Sequence, residues 1–308
     1  PIFHVSGANA GVIGLAQGLK NIIIRDVDPV VILDALEQYR VRYAFFVPAV
    51  ILFLNSIPGV RDRDFSNLET ILYGASPISQ DVLSTAQNIF KCEFCQVYGL
   101  TETGGGGTVL LPEDHDPSRG KLLSCGKPAQ SSQIRILSRN GTDAAPNEVG
   151  EILYKSGSLM KGYWKNEIAT AKAIIDGWFY TGDAGYLDTE GYLYIHDRIK
   201  DMIVSGGENV YPAEVENVLF DHPDISDVAV IGVPDEKWGE AVKAVVVLHP
   251  GSTAIEKDII NFAKSRIAGY KTPKSIDFVQ SLPRNPTGKL LKRELRAPYW
   301  EKHQRQIN

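Results

Sequence analysis

Apolar and polar positions alternate at two different periods along the chain. Between residues 30 and 40 the apolar side chains Ile32, Ala35, Leu36 and Tyr39 follow the i, i+3, i+4, i+7 spacing of one helix face. Pro29 suits the start of that helix, because its fixed φ fits the first turn. Residues 43–47 read as a buried strand that ends before Pro48, and 70–73 as a second strand. A turn follows at Gly74-Ala75-Ser76-Pro77. Ser79 then caps a helix predicted to run to Phe90, and 94–98 is the next strand. Strands alternating with helices indicate an α/β layered domain.

From about Gly120 to Ile195 the helical period fades. Short strand-like runs at 133–137, 148–154 and 192–195 are separated by Asn140-Gly141, Gly150 and Glu190-Gly191, which predicts a small β-barrel or twisted antiparallel sheet. After Asp197 the mixed pattern returns. A helix is expected over 212–220, strands over 228–233 and 242–248, an amphipathic helix over 255–267 and a short strand over 275–279. These form a separate small α+β domain. The joints fall near Gly120 and Lys200, giving expected domains of 1–119, 120–199 and 200–308.

Composition narrows the functional classes. The net charge is −5, with 44% hydrophobic and 22% charged residues in 308. That is an ordinary globular balance, and it argues against general nucleic-acid binding, which needs a basic surface. No apolar run reaches membrane-spanning length, and no signal-peptide pattern is present, so a cytoplasmic location is expected. Three cysteines, Cys92, Cys95 and Cys125, do not make a disulfide framework. Cys92-x-x-Cys95 lacks a second pair, so both read as small buried hydrophobes. The chain opens on Pro1-Ile2-Phe3-His4 without Met, and we expect a fragment of a longer protein. Oligomeric state stays open.

Four segments carry candidate chemistry. In Tyr98-Gly99-Leu100-Thr101-Glu102, followed by Thr103 and Gly104 to Gly107, a strand end delivers an aromatic ring, a hydroxyl and a carboxylate together. Tyr98 can stack on a purine, Thr101 can bond a phosphate, and Glu102 can hold Mg²⁺, a hard cation that prefers oxygen. The ordinary alternative is a flexible glycine loop with a solvated carboxylate. In Thr181-Gly182-Asp183 and Asp197-Arg198-Ile199-Lys200-Asp201, an Asp can accept from a ribose diol and an Arg can fork onto the same sugar or a phosphate. The alternative is a turn with surface ion pairs. Ser205-Gly206-Gly207-Glu208 permits a tight turn before a helix, where Glu214 and Glu216 read as helix N-terminal charges. Pro286-Thr287-Gly288-Lys289 offers a lysine on a loop, able to neutralise developing phosphate charge. It is no Walker A loop, since position 283 is Pro.

In order and spacing these segments resemble the adenylate-forming, AMP-binding superfamily of acyl-CoA synthetases, peptide-synthetase adenylation domains and firefly-type luciferases. Ser205-Gly206-Gly207-Glu208-Asn209-Val210-Tyr211-Pro212 and Pro234-Asp235-Glu236-Lys237-Trp238-Gly239-Glu240 look like the acyl-CoA synthetase, or fatty-acid–CoA ligase, branch. The resemblance implies an acid attacking ATP to give acyl-adenylate and pyrophosphate, then coenzyme A attacking the adenylate to release AMP. It assigns Gly74, Ala75, Ser76, Tyr98, Gly99, Asp183, Ile195 and Arg198 to the nucleotide, and Thr101 and Glu102 to phosphate and Mg²⁺. It assigns Lys289 to the first chemical step. His4, Gly104, Gly206 and Gly207 fall to the acyl and CoA side, and Lys200 to the hinge of a mobile C-terminal domain. ATP, Mg²⁺, CoA and a medium- or long-chain fatty or aryl acid are the implied ligands.

One departure is plain. The family's Ser/Thr/Gly-rich phosphate loop would precede His4, and nothing here resembles it. We therefore expect this piece alone to be inactive in adenylation. Two other readings stay open at this point: an adenylation domain loading a carrier protein, and a non-catalytic nucleotide- or acyl-binding protein.

Overall fold

The computed structural model describes residues 2–76, 78–285 and 289–301; Pro77 and the Pro286-Thr287-Gly288 stretch of the expected lysine loop lie outside the described residues. The chain divides into two compact units. One runs up to Thr181 and includes Gly185–Ile195; the other holds Gly182–Ala184 and the chain from His196 onward.

The first unit opens with helix α1 (Val5–Ala16), followed by α2 (Pro29–Gln38), β1 (Tyr43–Phe46), α3 (Pro48–Asn55), β2 (Thr70–Gly74), α4 (Gln80–Phe90) and β3 (Glu93–Gly99). Strands β1, β2 and β3 are parallel neighbours. Strands β4 (Gly107–Leu110) and β5 (Lys127–Pro128) complete the sheet antiparallel, in the order β1-β2-β3-β4-β5. Ser79 caps α4 as expected, accepting from the Val82 amide, and Asp28, which the sequence reading did not single out, caps α2 ahead of Pro29 by accepting from the Val30 and Val31 amides. The α2 stripe Ile32, Leu33 and Leu36 packs with Ile51 and Leu54 of α3 and Leu83, Ala86 and Phe90 of α4 over Ile71, Tyr73 and Phe94. Burying each such side chain contributes about 1.5–3 kcal/mol.

Helices α1 and α3 of this unit were not expected. In α1, Gly7, Gly11 and Gly14 dilute the pattern, and Val12, Ile13 and Leu15 are exposed. In α3, Pro48 does end β1 as predicted, but it also sits at the first turn of the next helix.

The second sheet is built from β6 (Gln133–Leu137), β7 (Gly150–Lys155), β8 (Ile174–Ile175), β9 (Trp178–Leu187) and β10 (Leu193–Arg198), in the order β10-β9-β7-β6 with β8 on β9. The small β-barrel expected here is a curled half-barrel. Helix α5 (Glu167–Ala173), capped by Asn166 on the Ala169 amide, interrupts the strand-rich region that was read as free of helix. Thr181-Gly182-Asp183, for which a turn was the alternative reading, lies inside the ten-residue strand β9.

The last sheet has β11 (Ile203–Ser205), β12 (Glu208–Val210), β13 (Ile225–Asp235), β14 (Gly239–Leu248) and β15 (Ser275–Phe278), with helices α6 (Pro212–Phe220), α7 (Glu256–Lys264) and α8 (Lys292–Trp300). Its order is β12-β11-β14-β13, and β15 pairs parallel with β14. Strand period 2 sorts its side chains onto two faces. Val228 and Val230 join Val215, Leu219 and Ile259 on one side; Ala229, Ile231 and Val233 join Leu282, Leu295 and Tyr299 on the other. Both faces are covered, which is why β13 and β14 read as continuous apolar runs.

Candidate active site

In an open α/β sheet, ligands meet the carboxyl ends of the parallel strands. Two such ends carry the predicted residues. At β2, Gly74 packs so closely on β3 that a Cβ there would lie 2.2 Å from the Val97 carbonyl oxygen. Ala75 then turns the chain with φ +72°, and Ala75 and Ser76 are exposed. At β3, Gly99 passes against the returning loop, where a Cβ would meet the Gly105 carbonyl oxygen at 2.5 Å. The glycine run therefore closes a tight turn after Thr101–Thr103, with Gly104 and Gly105 at φ +67° and +80°.

Tyr98 is half-buried, and it packs with Ile195 on the cluster formed by Cys125, Ile136, Ile152 and Leu193. Thr101 is exposed and Glu102 half-buried at the start of the turn. Thr103, fully buried, fixes the turn by exchanging hydrogen bonds with the Leu100 backbone: its Oγ1 accepts from the amide and donates to the carbonyl, each at 3.0 Å.

Three contacts that the sequence reading missed hold this turn. Asn9 of α1 donates to the Gly104 carbonyl at 2.8 Å. The Met160 amide donates to the Glu102 carbonyl at 2.8 Å, and Tyr163 Oη donates to Glu102 Oε1 at 2.9 Å. His4, one residue ahead of α1, contacts Ser6 Oγ through Nδ1 at 3.0 Å. The only available signal for Tyr163 was an aromatic beside a glycine in Gly162-Tyr163-Trp164, which by itself names no partner.

In the second unit, Asp183 Oδ1 lies 2.8 Å from Arg198 Nε; the carboxylate is buried and the guanidinium about one-third exposed. Lys289 belongs to the same unit. Asn285 bonds to it twice: the Asn285 amide donates to the Lys289 carbonyl, and Asn285 Oδ1 accepts from the Lys289 amide. Although the residue as a whole is exposed, surrounding protein partly desolvates the ammonium and Arg198 repels it. Both effects lower its pKa below the lysine value of 10.5, against the pull of Asp183.

Ser205-Gly206-Gly207-Glu208 is the two-residue hairpin turn between β11 and β12, with Gly206 and Gly207 at φ +61° and +87°. Those angles are of type I′. A Cβ on Gly206 would also meet the Trp238 ring at 2.8 Å, and the Gly206 amide donates to the Trp238 carbonyl. Lys200 is exposed, and its carbonyl accepts from Arg296 of α8 at 3.1 Å. Glu214 and Glu216 stand near the start of α6, as expected of helix N-terminal charges, and each has a partner that the sequence does not reveal: Glu216, its side chain 13% exposed, lies 2.9 Å from Lys292, and Glu214 pairs with Lys271.

Among the described residues no group of three or more His, Cys, Asp or Glu could cage a metal. A Mg²⁺ ion carried by a nucleotide takes one or two carboxylates plus phosphate oxygens and needs no such cage, so a lone Glu102 beside the Thr101 hydroxyl fits that donor set. Burial pushes the pKa of the Cys92 thiol up to about 12 and raises that of Cys95 as well.

Residues 1–164 match the model of the AMP-binding enzyme family, and residues 214–289 match that of the AMP-binding enzyme C-terminal domain. The chain belongs to the AMP-binding enzymes. Within this family it is 39% identical over 308 residues to the fatty acid–[acyl-carrier-protein] ligase ScoC of Streptomyces coeruleorubidus, covering 100% of this chain and 59% of that protein. It is 40% identical over 301 residues to the long-chain-fatty-acid–CoA ligase FadD13 of Mycobacterium tuberculosis H37Rv, covering 97% and 58%. Among solved structures it resembles o-succinylbenzoate–CoA synthetase of Bacillus subtilis in complex with ATP and magnesium, at 35% identity and TM-score 0.86, covering 96% of this chain and 60% of that one. The chain thus spans about three-fifths of the length of these AMP-binding enzymes. Among the described residues no helix is long and apolar enough to cross a membrane.

Proposed function

We propose that the protein carrying this chain is an AMP-forming acid–CoA ligase acting on a medium- or long-chain fatty acid or an aryl acid. The observation that carries this reading is the β3 end, where Thr101 and Glu102 leave the sheet on a turn braced at Asn9, Met160 and Tyr163. The named activities of ScoC and FadD13, at 39% and 40% identity, support it.

Each residue has a definite task in this reading. Tyr98 offers a ring for the adenine, and Gly74, Ala75, Ser76, Gly99 and Ile195 line the same nucleotide. Asp183 accepts from the ribose hydroxyls, and Arg198 both orients that carboxylate and donates to the nucleotide. Thr101 donates to phosphate, and Glu102 and the phosphates hold Mg²⁺. When bound, the metal neutralises charge on the departing pyrophosphate. Lys289 supplies a cation for the carboxylate and α-phosphate as they join. His4 and Gly104 border the acyl group. In the second step Gly206 and Gly207 give the CoA arm a backbone without side chains, after a turn at Lys200. The division into 1–119, 120–199 and 200–308 belongs to this reading, as does the inactivity of the chain by itself in adenylation.

The test is AMP formation by the whole protein with ATP, Mg²⁺, CoA and a panel of carboxylic acids, beside Lys289→Ala. Acid- and CoA-dependent AMP that falls at least a hundredfold in the variant is the expected result. That drop is the scale on which removal of one transition-state donor acts, about 10²–10³. Turnover indifferent to Lys289 refutes the assignment.

A second reading is favoured by ScoC, whose name specifies an acyl-carrier protein as acceptor. Replacing CoA with holo carrier protein in the same assay separates the two acceptors.

A further inference from the structure

Glu102 is held from both its backbone and its side chain by one segment. Ser158 Oγ donates to the Thr103 carbonyl at 3.0 Å, the Met160 amide to the Glu102 carbonyl at 2.8 Å, and Tyr163 Oη to Glu102 Oε1 at 2.9 Å. Three successive groups of residues 158–163 therefore run along the turn that presents the carboxylate.

The segment is itself anchored at its far end. The Tyr163 amide donates to Thr170 Oγ1 at 2.9 Å, and that hydroxyl donates to the Asn166 carbonyl at 2.8 Å at the start of α5. Gly162, at φ +154°, comes so near this threonine that a Cβ would lie 2.8 Å from Thr170 Cγ2. The Tyr163 ring thus projects from a support fixed by α5, while Glu102 projects from one fixed by β3. The hydrogen bond joins a side chain braced by α5 to one carried at the end of β3.

Resting on the ligase reading above, we propose that Tyr163 is a positioning residue for Glu102: its phenol O–H occupies Oε1, so that the other carboxylate oxygen is the one presented to the nucleotide's divalent cation. A carboxylate on a free side chain loses rotamer entropy when it takes up a metal ion. One already tethered at a single oxygen loses less and keeps its second oxygen for the ion.

The experiment uses the whole protein and its Tyr163→Phe, Glu102→Gln and doubly substituted forms. Two quantities are read: Mn²⁺ affinity in the presence of a non-hydrolysable ATP analogue, by electron paramagnetic resonance, and the Mg²⁺ concentration for half-maximal acid-dependent pyrophosphate release. Tyr163→Phe keeps the ring, which is about one-third exposed, so the thermal midpoint should not move. The expected result is a loss of about tenfold in Mn²⁺ affinity, with a matching rise in the half-saturating Mg²⁺ at saturating ATP. Tenfold is the low end for a hydrogen bond to a charged group. In the Glu102→Gln background the same substitution should change metal affinity by less than about twofold, because the tyrosine acts through the carboxylate.

An unchanged or tighter metal affinity in Tyr163→Phe overturns the proposal; tighter binding would make the phenol a competitor of the cation. An equal loss in both backgrounds overturns it too, reducing Tyr163 to a packing residue. Wild-type protein that binds no metal with the nucleotide analogue removes the proposal's basis. If the wild type binds the metal but turns over no acid, only the ligase reading fails, since the Mn²⁺ measurement requires no turnover.

Discussion

Arg198 Nε stands 2.8 Å from Asp183 Oδ1, a carboxylate buried in the middle of β9. A buried carboxylate must be paired, and its partner here is a guanidinium that remains partly open to solvent. In the ligase reading the pair serves the nucleotide as well as the fold. Arg198 uses its Nε on Asp183, and its planar fork fixes the direction of the remaining N–H groups.

Substituting either partner should therefore act on the nucleotide. Asp183→Asn replaces a charged acceptor, and its Michaelis constant for ATP is expected to rise about 10- to 100-fold, the scale of a hydrogen bond to a charged group at about 1.5–3 kcal/mol. Arg198→Lys keeps the charge and loses the fork, so it should not rescue. Steady-state kinetics of the whole protein check both. An ATP constant unchanged in Asp183→Asn would remove this residue from the site.

Lys289 predicts a pH profile. Desolvation and the Arg198 charge lower its pKa from 10.5 in the free enzyme. In the proposed reaction the lysine acts as a cation, so activity should be present below its folded pKa and lost as pH rises through it. The alkaline limb of kcat/KM should accordingly lie below 10.5, because that ratio reports the free enzyme. Arg198→Ala should move the limb upward by removing the repulsion. A limb at or above 10.5, or one indifferent to Arg198, refutes this account.

Stability of the second unit should rest heavily on Lys292. Its Nζ is 2.9 Å from Glu216 Oε1 and 3.6 Å from Asp197 Oδ2, with each of the three side chains no more than 13% exposed. Burial works against the ammonium, yet the two carboxylates outweigh it and its pKa is raised; burial raises that of Glu216. Lys292→Ala leaves Glu216 buried beside Asp197 without its cation, and should cost about 3–5 kcal/mol in urea unfolding. Lys292→Ala with Glu216→Leu should recover part of the loss, since an apolar pair can replace a buried ion pair. A loss below about 1 kcal/mol would place the pair among exposed ion pairs instead.

Much of this was legible in the chain. The stripe Ile32-Ala35-Leu36, the helix start at Pro29, the cap Ser79 and the β-branched runs of β13 and β14 each announce their element locally, because helix and strand periods are properties of adjacent residues. The order of Tyr98-Gly99-Leu100-Thr101-Glu102, Thr181-Gly182-Asp183 and Lys289 was enough to indicate the family, which the match over residues 1–164 shows. Helix α1 escaped because its glycines blur the period, and α5 because seven residues are too few to show one.

What the sequence could not state is which distant groups meet. Glu216 has the same local surroundings as any acidic residue near a helix start; only the packing of α8 against the last sheet puts Lys292 on it and turns a surface charge into a buried one. Tyr163 and Glu102 lie 61 positions apart, and their hydrogen bond exists because the fold lays residues 158–163 along the turn at the end of β3. Local pattern is encoded within a few residues by sterics and hydrophobic period. The pairing of polar groups across the fold follows from the chain's closure in three dimensions, and that pairing sets the charge, burial and direction of each functional side chain.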